Sequence, residues 1–387
     1  MAGTGSGRRG FGLRRAALCM TVGAALAAAI AGCGAGPYGP ASYRPAAYPG
    51  PAGLTAAAAA AGTITESGSG LLYPLAGTWA KAYQRATPGV TVTTASTGSG
   101  KGIQLAAAGK VDIGASDAYL SSGDLVRSPA LLNIPLVISA QTVIYNLPGL
   151  SQATHVNLNG TVLAGIYDGT ITRWDDPAIA RLNQGLTLPG IKIVPVHRSD
   201  SSGDTFLFTS YLSTQDPGHW GAAIGYGTTA AWPRVAGALA EQGSVATMDA
   251  CEAAPGCVAY NGISYLSQAL AGRLGYASLA NAAGSYTLPS AAAIRASVAS
   301  FVSLTPPNET ISLIDGPSPA GYPIVNYEYA VVSTRQPTAG KASALKAFLR
   351  WIVTTGNQAS YLNPVGFQPL PGALVTLGEQ QIAEIGP

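Results

Sequence analysis

The residues best suited to chemistry lie in three short loops rich in glycine and serine. Thr63-Ile64-Thr65 leads into Ser67-Gly68-Ser69-Gly70, and Val90-Thr91-Val92-Thr93-Thr94 leads into Ser96-Thr97-Gly98-Ser99-Gly100. Ile191-Lys192-Ile193-Val194-Pro195-Val196 leads into His197-Arg198-Ser199-Asp200-Ser201-Ser202-Gly203-Asp204. Each loop stands between a strand-like run and a helical one. After the first, Leu75, Trp79, Ala82, Tyr83 and Ala86 share a face; Ile103-Gln104-Leu105 begins the second helix, and Phe206-Leu207-Phe208 the third, with Tyr211 one turn after Leu207. The first N–H groups of a helix have no internal partner, carry partial positive charge and point at whatever sits at the helix start. Glycine lets the backbone approach a ligand and serine adds a hydroxyl donor. Three such ends aimed at one point would hold a small oxyanion with few formal charges. Arg198 would supply a permanent, forked cation. Any one loop reads equally well as a turn and cap; it is the repeated pattern that points to a ligand.

Other chemistries fit poorly. Gly98-Ser99-Gly100-Lys101-Gly102 looks like part of a nucleotide-binding loop. However, Ala95 stands where the first glycine is required and Gly102 where Ser or Thr must follow the lysine. No Gly-x-Ser-x-Gly elbow occurs, and His155, His197 and His219 are scattered without metal-ligand spacing. Asp175-Asp176-Pro177 reads as a helix start, with Asp176 capping and Pro177 at the first position, and Trp174 as core. Neither a catalytic set, a metal nor a cofactor is expected.

The elements that must position these loops fit a chain of 387 residues, long enough for two lobes. Only 10% of residues are charged and 47% are hydrophobic, so a large core is available. The net charge of +3 comes from Arg8, Arg9, Arg14 and Arg15; without the first 32 residues it is −1. A nearly neutral protein has no general attraction for nucleic acid or anionic lipid. An anion would have to be bound by local geometry.

The basic residues 1–15 and the apolar run 16–31 read as an export signal. Ile30-Ala31-Gly32-Cys33 resembles a bacterial lipobox, which would leave Cys33 lipidated at the new N-terminus. Arg8-Arg9-Gly10-Phe11 resembles a twin-arginine motif, so either export route is open. Residues 33–62, rich in Pro, Gly, Ala and Tyr, read as a flexible tether spanning roughly 30 Å. Cys251 and Cys257 bracket the turn Glu-Ala-Ala-Pro-Gly; in an exported protein a disulfide is the default, with a zinc pair the alternative.

Read with their flanks, the loops resemble the substrate-binding proteins of the phosphate-specific ABC transporter (the PstS family), with the mycobacterial phosphate-binding lipoprotein the nearest form. The resemblance is carried by Leu71-Leu72-Tyr73-Pro74-Leu75, Gly98-Ser99-Gly100, Ile113-Gly114-Ala115-Ser116-Asp117-Ala118-Tyr119-Leu120 and Trp174-Asp175-Asp176-Pro177. It continues through His197-Arg198-Ser199-Asp200, Ser202-Gly203-Asp204-Thr205-Phe206, Asp315-Gly316-Pro317 and Tyr322-Pro323-Ile324.

This resemblance implies an α/β type II periplasmic-binding-protein fold, with two α/β lobes joined by two crossing strands and the ligand in the cleft. Lobe 1 would comprise residues 63–145 and 322–387, and lobe 2 residues 146–321. The crossings would fall near Thr142–Leu147 and Gly321–Val332. The C-terminal helix bearing Leu345, Phe348, Leu349 and Ile352 would return to lobe 1. Phosphate would meet N–H groups near Gly70 and Leu71, the hydroxyl and N–H of Ser99, the carboxylate of Asp117 and the guanidinium of Arg198. It would also meet the hydroxyl and N–H of Ser202, the N–H of Gly203, and Asp204. Many relatives have Thr at the last position, whereas the mycobacterial branch has Asp. The family's usual threonine in the first loop aligns with Gly70, and Ser69 could substitute. At neutral pH phosphate keeps a proton that sulfate lacks, so Asp117 would accept it and discriminate between the two. The protein would be non-enzymatic and lipid-anchored outside the cytoplasmic membrane, delivering phosphate to the membrane permease subunits of an ABC importer. An exported phosphatase, or a surface adhesin or sensor on the same fold, is the alternative.

Overall fold

The computed structural model describes residues 62–387; the expected export signal, Cys33 and nearly all of the tether lie outside the described residues. In chain order the strands are β1 (Gly62–Gly68), β2 (Val90–Thr93), β3 (Ile113–Ser116), β4 (Leu131–Tyr145), β5 (Asn157–Leu158) and β6 (Val194–Arg198). They continue with β7 (Leu239–Glu241), β8 (Cys257–Gly262), β9 (Gly275–Tyr276), β10 (Ser278–Ala280), β11 (Tyr286–Thr287) and β12 (Val325–Ser333). The main sheet has the order β2-β1-β3-β12-β4-β8-β6-β7, with β9 paired to β4; β11-β10-β5 form a small second sheet. At one end β1 is parallel to β2 and β3, and at the other β6 is parallel to β7 and β8. Parallel neighbours need crossover connections, which is why helices alternate with these strands.

The sheet is held together by β4, every residue of which is buried, as its nearly unbroken apolar sequence requires of a strand covered on both faces. Leu131–Ala140 run antiparallel to β12, and Gln141–Tyr145 antiparallel to β8. The change of partner at Ala140–Gln141 falls just ahead of the first stretch expected to cross between lobes. The chain returns at Ile324–Val325, within the second, where the Gln141 N–H donates to the Ile324 carbonyl at 3.0 Å. Pro135 lacks an N–H and would break a regular central strand. Here the register slips: Glu328 faces Val137 but Tyr329 faces Pro135, leaving Leu136 bulged. The Leu136 carbonyl is then satisfied by Asn357 Nδ2 at 2.8 Å.

Helices cover both faces. Ala339–Val353 buries Leu345, Phe348, Leu349 and Ile352, as their spacing predicts, and Phe348 packs on Tyr83 of helix Tyr73–Ala86 with ring centroids 4.8 Å apart. Trp174 is fully buried, and Asp176 caps helix Pro177–Leu182 by accepting from the Ala178 N–H at 2.7 Å. Cys251, in helix Gly243–Ala253, and Cys257, which opens β8, form a disulfide with Cα atoms 5.2 Å apart.

Candidate anion-binding site

All three strand–loop–helix units form, and their loops meet where β1, β3 and β6 end. Two helices begin earlier than their apolar periodicity predicts. The second starts at Ser99 rather than Ile103, and the third at Gly203 rather than Phe206. The glycines that suggested loop are instead first-turn residues packed against backbone: a Cβ on Gly102 would lie 2.7 Å from the Ser67 and Ala115 carbonyl oxygens. β6 likewise runs on to Arg198. Ser99 and Gly203 therefore occupy helix first turns, whose N–H groups have no i−4 acceptor. In the first loop the N–H groups of Gly70 and Leu71 find no acceptor among the described residues. Their carbonyls are held by the Tyr265 hydroxyl at 3.0 Å and the Ser264 hydroxyl at 2.7 Å.

Arg198 projects from the end of β6 with its side chain 1% exposed. Its Nε and Nη2 donate to the two oxygens of Asp200 at 2.7 and 2.5 Å, and its Nη1 donates to Asp204 Oδ2 at 2.7 Å and to Ser244 Oγ at 3.2 Å. The guanidinium is thus fixed in orientation and its charge more than balanced. Gly70 lies against it: a Cβ there would be 2.8 Å from Ser244 Oγ and 3.9 Å from Arg198 Nη1. Asp204 also accepts from Gln141 Nε2 at 3.1 Å. Burial pushes Asp204 up to about 6, with the guanidinium pulling the other way.

Asp117 follows β3 and is buried. Its N–H donates to Ser99 Oγ at 3.1 Å, which leaves the Ser99 proton available to a ligand. Its Oδ1 accepts from the Ser69 hydroxyl, and its Oδ2 has no hydrogen-bond partner. Burial, then the charge of Glu328, holds Asp117 well above the ordinary carboxylate range. An uncompensated buried acceptor is costly unless something donates to it.

The site is made by apposition of the two ends of the sheet. The Gly100 N–H donates to the Ser201 carbonyl at 3.1 Å, and a Cβ on Gly100 would lie 1.9 Å from Ser201 Oγ. A Cβ on Gly203 would lie 2.2 Å from Asp117 Oδ2 and 2.4 Å from Ser99 Oγ. Ser202 is buried beside it, its N–H bound to the Thr228 carbonyl at 2.7 Å. The structure therefore gathers Gly70, Leu71, Ser99, Asp117, Arg198, Ser202, Gly203 and Asp204 around one point, though Leu71 turns its side chain into the core against Gly262. Among the described residues no cluster of three or more His, Cys, Asp or Glu is arranged to hold a metal.

Several neighbours were not singled out from sequence. Ser244 bridges Arg198 and Asp204, and Tyr260 holds the end of β6, its hydroxyl oxygen accepting from the Arg198 N–H at 2.9 Å. Glu328 lies beneath Asp117 on β12. Its signal was present: a single acid inside Ile324-Val325-Asn326-Tyr327-Glu328-Tyr329-Ala330-Val331, a run otherwise suited to a strand buried on both faces.

Comparison with known proteins agrees with this geometry. Residues 54–355 match the model of a PBP superfamily domain. The phosphate-binding protein PstS of Pasteurella multocida is 33% identical over 313 residues, covering 81% of this chain and 88% of the relative. PstS3 of Mycobacterium bovis is 34% identical over 302 residues, covering 75% and 77%. An ABC-type phosphate transport receptor from Vibrio cholerae shares the fold at a TM-score of 0.51 and 17% identity, over 80% of this chain and all of that one. One-third identity sustained over four-fifths of the chain, on the mixed α/β fold described above, places this protein in the PstS family of phosphate-binding proteins.

Proposed function

We propose that this chain is an extracytoplasmic, non-enzymatic receptor that binds inorganic phosphate and delivers it to the permease subunits of a membrane ABC importer. The observation that carries the reading is the meeting of three loops at one buried cluster: Arg198 fixed between Asp200 and Asp204, first-turn N–H groups at Ser99 and Gly203, and an unpartnered Asp117 Oδ2 facing them. The N–H groups of Gly70, Leu71, Ser99 and Gly203, the hydroxyls of Ser99 and Ser202, and Arg198 serve as donors; the Ser202 N–H, expected to join them, is taken by the Thr228 carbonyl. Asp117 accepts the phosphate proton, with Asp204 as a second acceptor. Residues 63–145 with 322–387, and residues 146–321, act as two lobes that close over the ion about the crossings. Residues 1–32 direct export, Cys33 carries the lipid that anchors the protein outside the cytoplasmic membrane, and residues 33–62 are the tether. Two or more acyl chains suffice for a stable anchor.

Calorimetric titration of the unfolded and refolded, ligand-stripped protein from Gly62 onward tests the reading. One-to-one phosphate binding with no heat from sulfate is expected. Binding of both anions alike, or of neither, would reject it.

A further inference from the structure

The hydrogen bonds beneath the site do not close unless one extra proton is present. Asn326 Nδ2 faces the carbonyls of Tyr327 at 3.0 Å and Asp117 at 3.4 Å, as well as Glu328 Oε1 at 2.9 Å. Turning the amide over would set its oxygen against three acceptors, so the nitrogen must occupy that position. Asn326 Oδ1 then faces Ser139 Oγ at 2.6 Å, and Ser139 Oγ is also 2.6 Å from Glu328 Oε1. A serine hydroxyl has one proton and here meets two acceptors at full hydrogen-bond distance. If Ser139 donates to Asn326, the contact with Glu328 requires a proton on Glu328. On the other side, Ser69 gives its single proton to Asp117 and lies 3.3 Å from Glu328 Oε2. A neutral carboxyl tolerates that shared serine, whereas two carboxylates would compete for it.

We infer that Glu328 is a positioning residue held as a neutral, protonated acid, donating to Ser139 and leaving Asp117 as the charged acceptor that faces the bound anion. This rests on the phosphate-binding reading above. The titratable groups acting on Glu328 are Asp117 after β3 and Asp204 on helix Gly203–Gln215, and Arg198 on β6 acts on both of these. Only Arg198 is cationic, and Asp200 and Asp204 already balance it. A charged Glu328 would add a negative charge directly behind a site that takes an anion. Burial raises both Glu328 and Asp117 above their ordinary ranges, and their mutual contact favours the proton on Asp117; it is the crowding of acceptors at Ser139 and Asn326 that places it on Glu328. Rising pH therefore removes its proton, the donor to Ser139, and with them part of the affinity.

The test compares wild type with Glu328→Gln, which is isosteric and keeps a donor toward Ser139. Phosphate affinity is measured by calorimetry from neutral to alkaline pH, above the range where phosphate itself gains its second charge, with melting temperature followed in parallel. Wild-type affinity should fall, approaching about tenfold per pH unit where one linked proton is lost. Glu328→Gln should be nearly flat over the same range, and its infrared spectrum should lack a protonated-carboxyl band that wild type has. Parallel pH profiles, or an unchanged carboxyl band, would overturn the inference. If Glu328→Gln does not fold, Ser139→Ala provides the second arm. Losing the acceptor should bring the fall in affinity to lower pH, and a superimposable profile would overturn the inference. Failure of wild type to bind phosphate at any pH would instead reject the functional reading, while the infrared comparison would still decide where the proton lies.

Discussion

Asp117 Oδ2 is an acceptor without a donor, set 2.2 Å from where a Cβ on Gly203 would stand. Phosphate can supply the missing donor and sulfate cannot, so one carboxylate is enough to separate two anions of nearly equal size. Asp117→Ala should weaken phosphate binding by about 2 kcal/mol, roughly thirtyfold, and should reduce the preference over sulfate; calorimetry with both anions checks it. Unchanged selectivity would remove Asp117 from the site. Arg198 behaves differently because it is already paired in the protein. Its ion pairs with Asp200 and Asp204 hold it rigid, so it acts as a fixed point of reference for the donors around it. The loop residues Ser99, Arg198, Ser202 and Gly203 were suggested by the repeated pattern of glycine and serine before a helix, whereas Asp117 lies outside those loops and came only from the family resemblance. Ser244 and Tyr260 gave no such sign, because they reach the cluster from another helix and strand; Glu328 gave one, as the lone acid in a buried strand run, that the loop pattern could not connect to the site.

At the scale of elements, the sequence predicts which segments are strand or helix better than where they begin. Apolar periodicity places the second helix at Ile103 and the third at Phe206, but they start earlier, at Ser99 and Gly203, with glycines in their first turns. Helix propensity counts against glycine by about 1 kcal/mol, and close backbone contact outweighs it. Gly203 is the position where an added Cβ would meet two of the proposed ligand groups directly. Gly203→Ala should fold, since first-turn helical backbone suits alanine, yet it should lose phosphate affinity by at least about tenfold, because the new methyl must push Asp117 and Ser99 apart. An affinity within twofold of wild type would show that the two sides of the cleft do not approach as closely in solution. The Cys251–Cys257 disulfide has a local role, tying the end of helix Gly243–Ala253 to β8, which pairs with β4. Replacing both cysteines by serine should cost about 2 kcal/mol for a loop this short, read as a lower Tm, with phosphate affinity little changed.

For the whole molecule, two buried acids outside the cluster add their own share to the way stability responds to pH. Glu66 lies at the inner end of the first half of the sheet among Leu72, Trp79, Phe348 and Ile352, with both oxygens lacking partners. Glu309 receives one hydrogen bond, from Gln381 Nε2 at 2.6 Å. Burial pushes each up to about 8. Unfolded glutamate releases its proton near pH 4.3, so between there and about pH 8 each folded side chain holds a proton that the unfolded chain has lost. The stability due to each proton is full below the unfolded value and is lost as pH rises to about 8, at about 1.4 kcal/mol per unit per group. Denaturant unfolding across this range should show the decline, and Glu66→Gln should reduce its slope by nearly half of the two-group total. An identical slope in the variant would mean that Glu66 is charged in the folded protein.

The Gly100–Ser201 backbone hydrogen bond has a further consequence, for what the protein refuses. Ser201 lies against Gly98 and Gly100 on either side of Ser99, so the second and third loops touch directly beside the site. A sugar phosphate or nucleotide offers the same oxygens but carries an organic substituent that needs an exit. In this arrangement the substituent would hold the loops apart and forfeit the contacts that complete the site. A clasp of this kind should act as a gauge of size, admitting the bare ion and turning away esters, so that phosphate would have to be freed from organic matter before uptake.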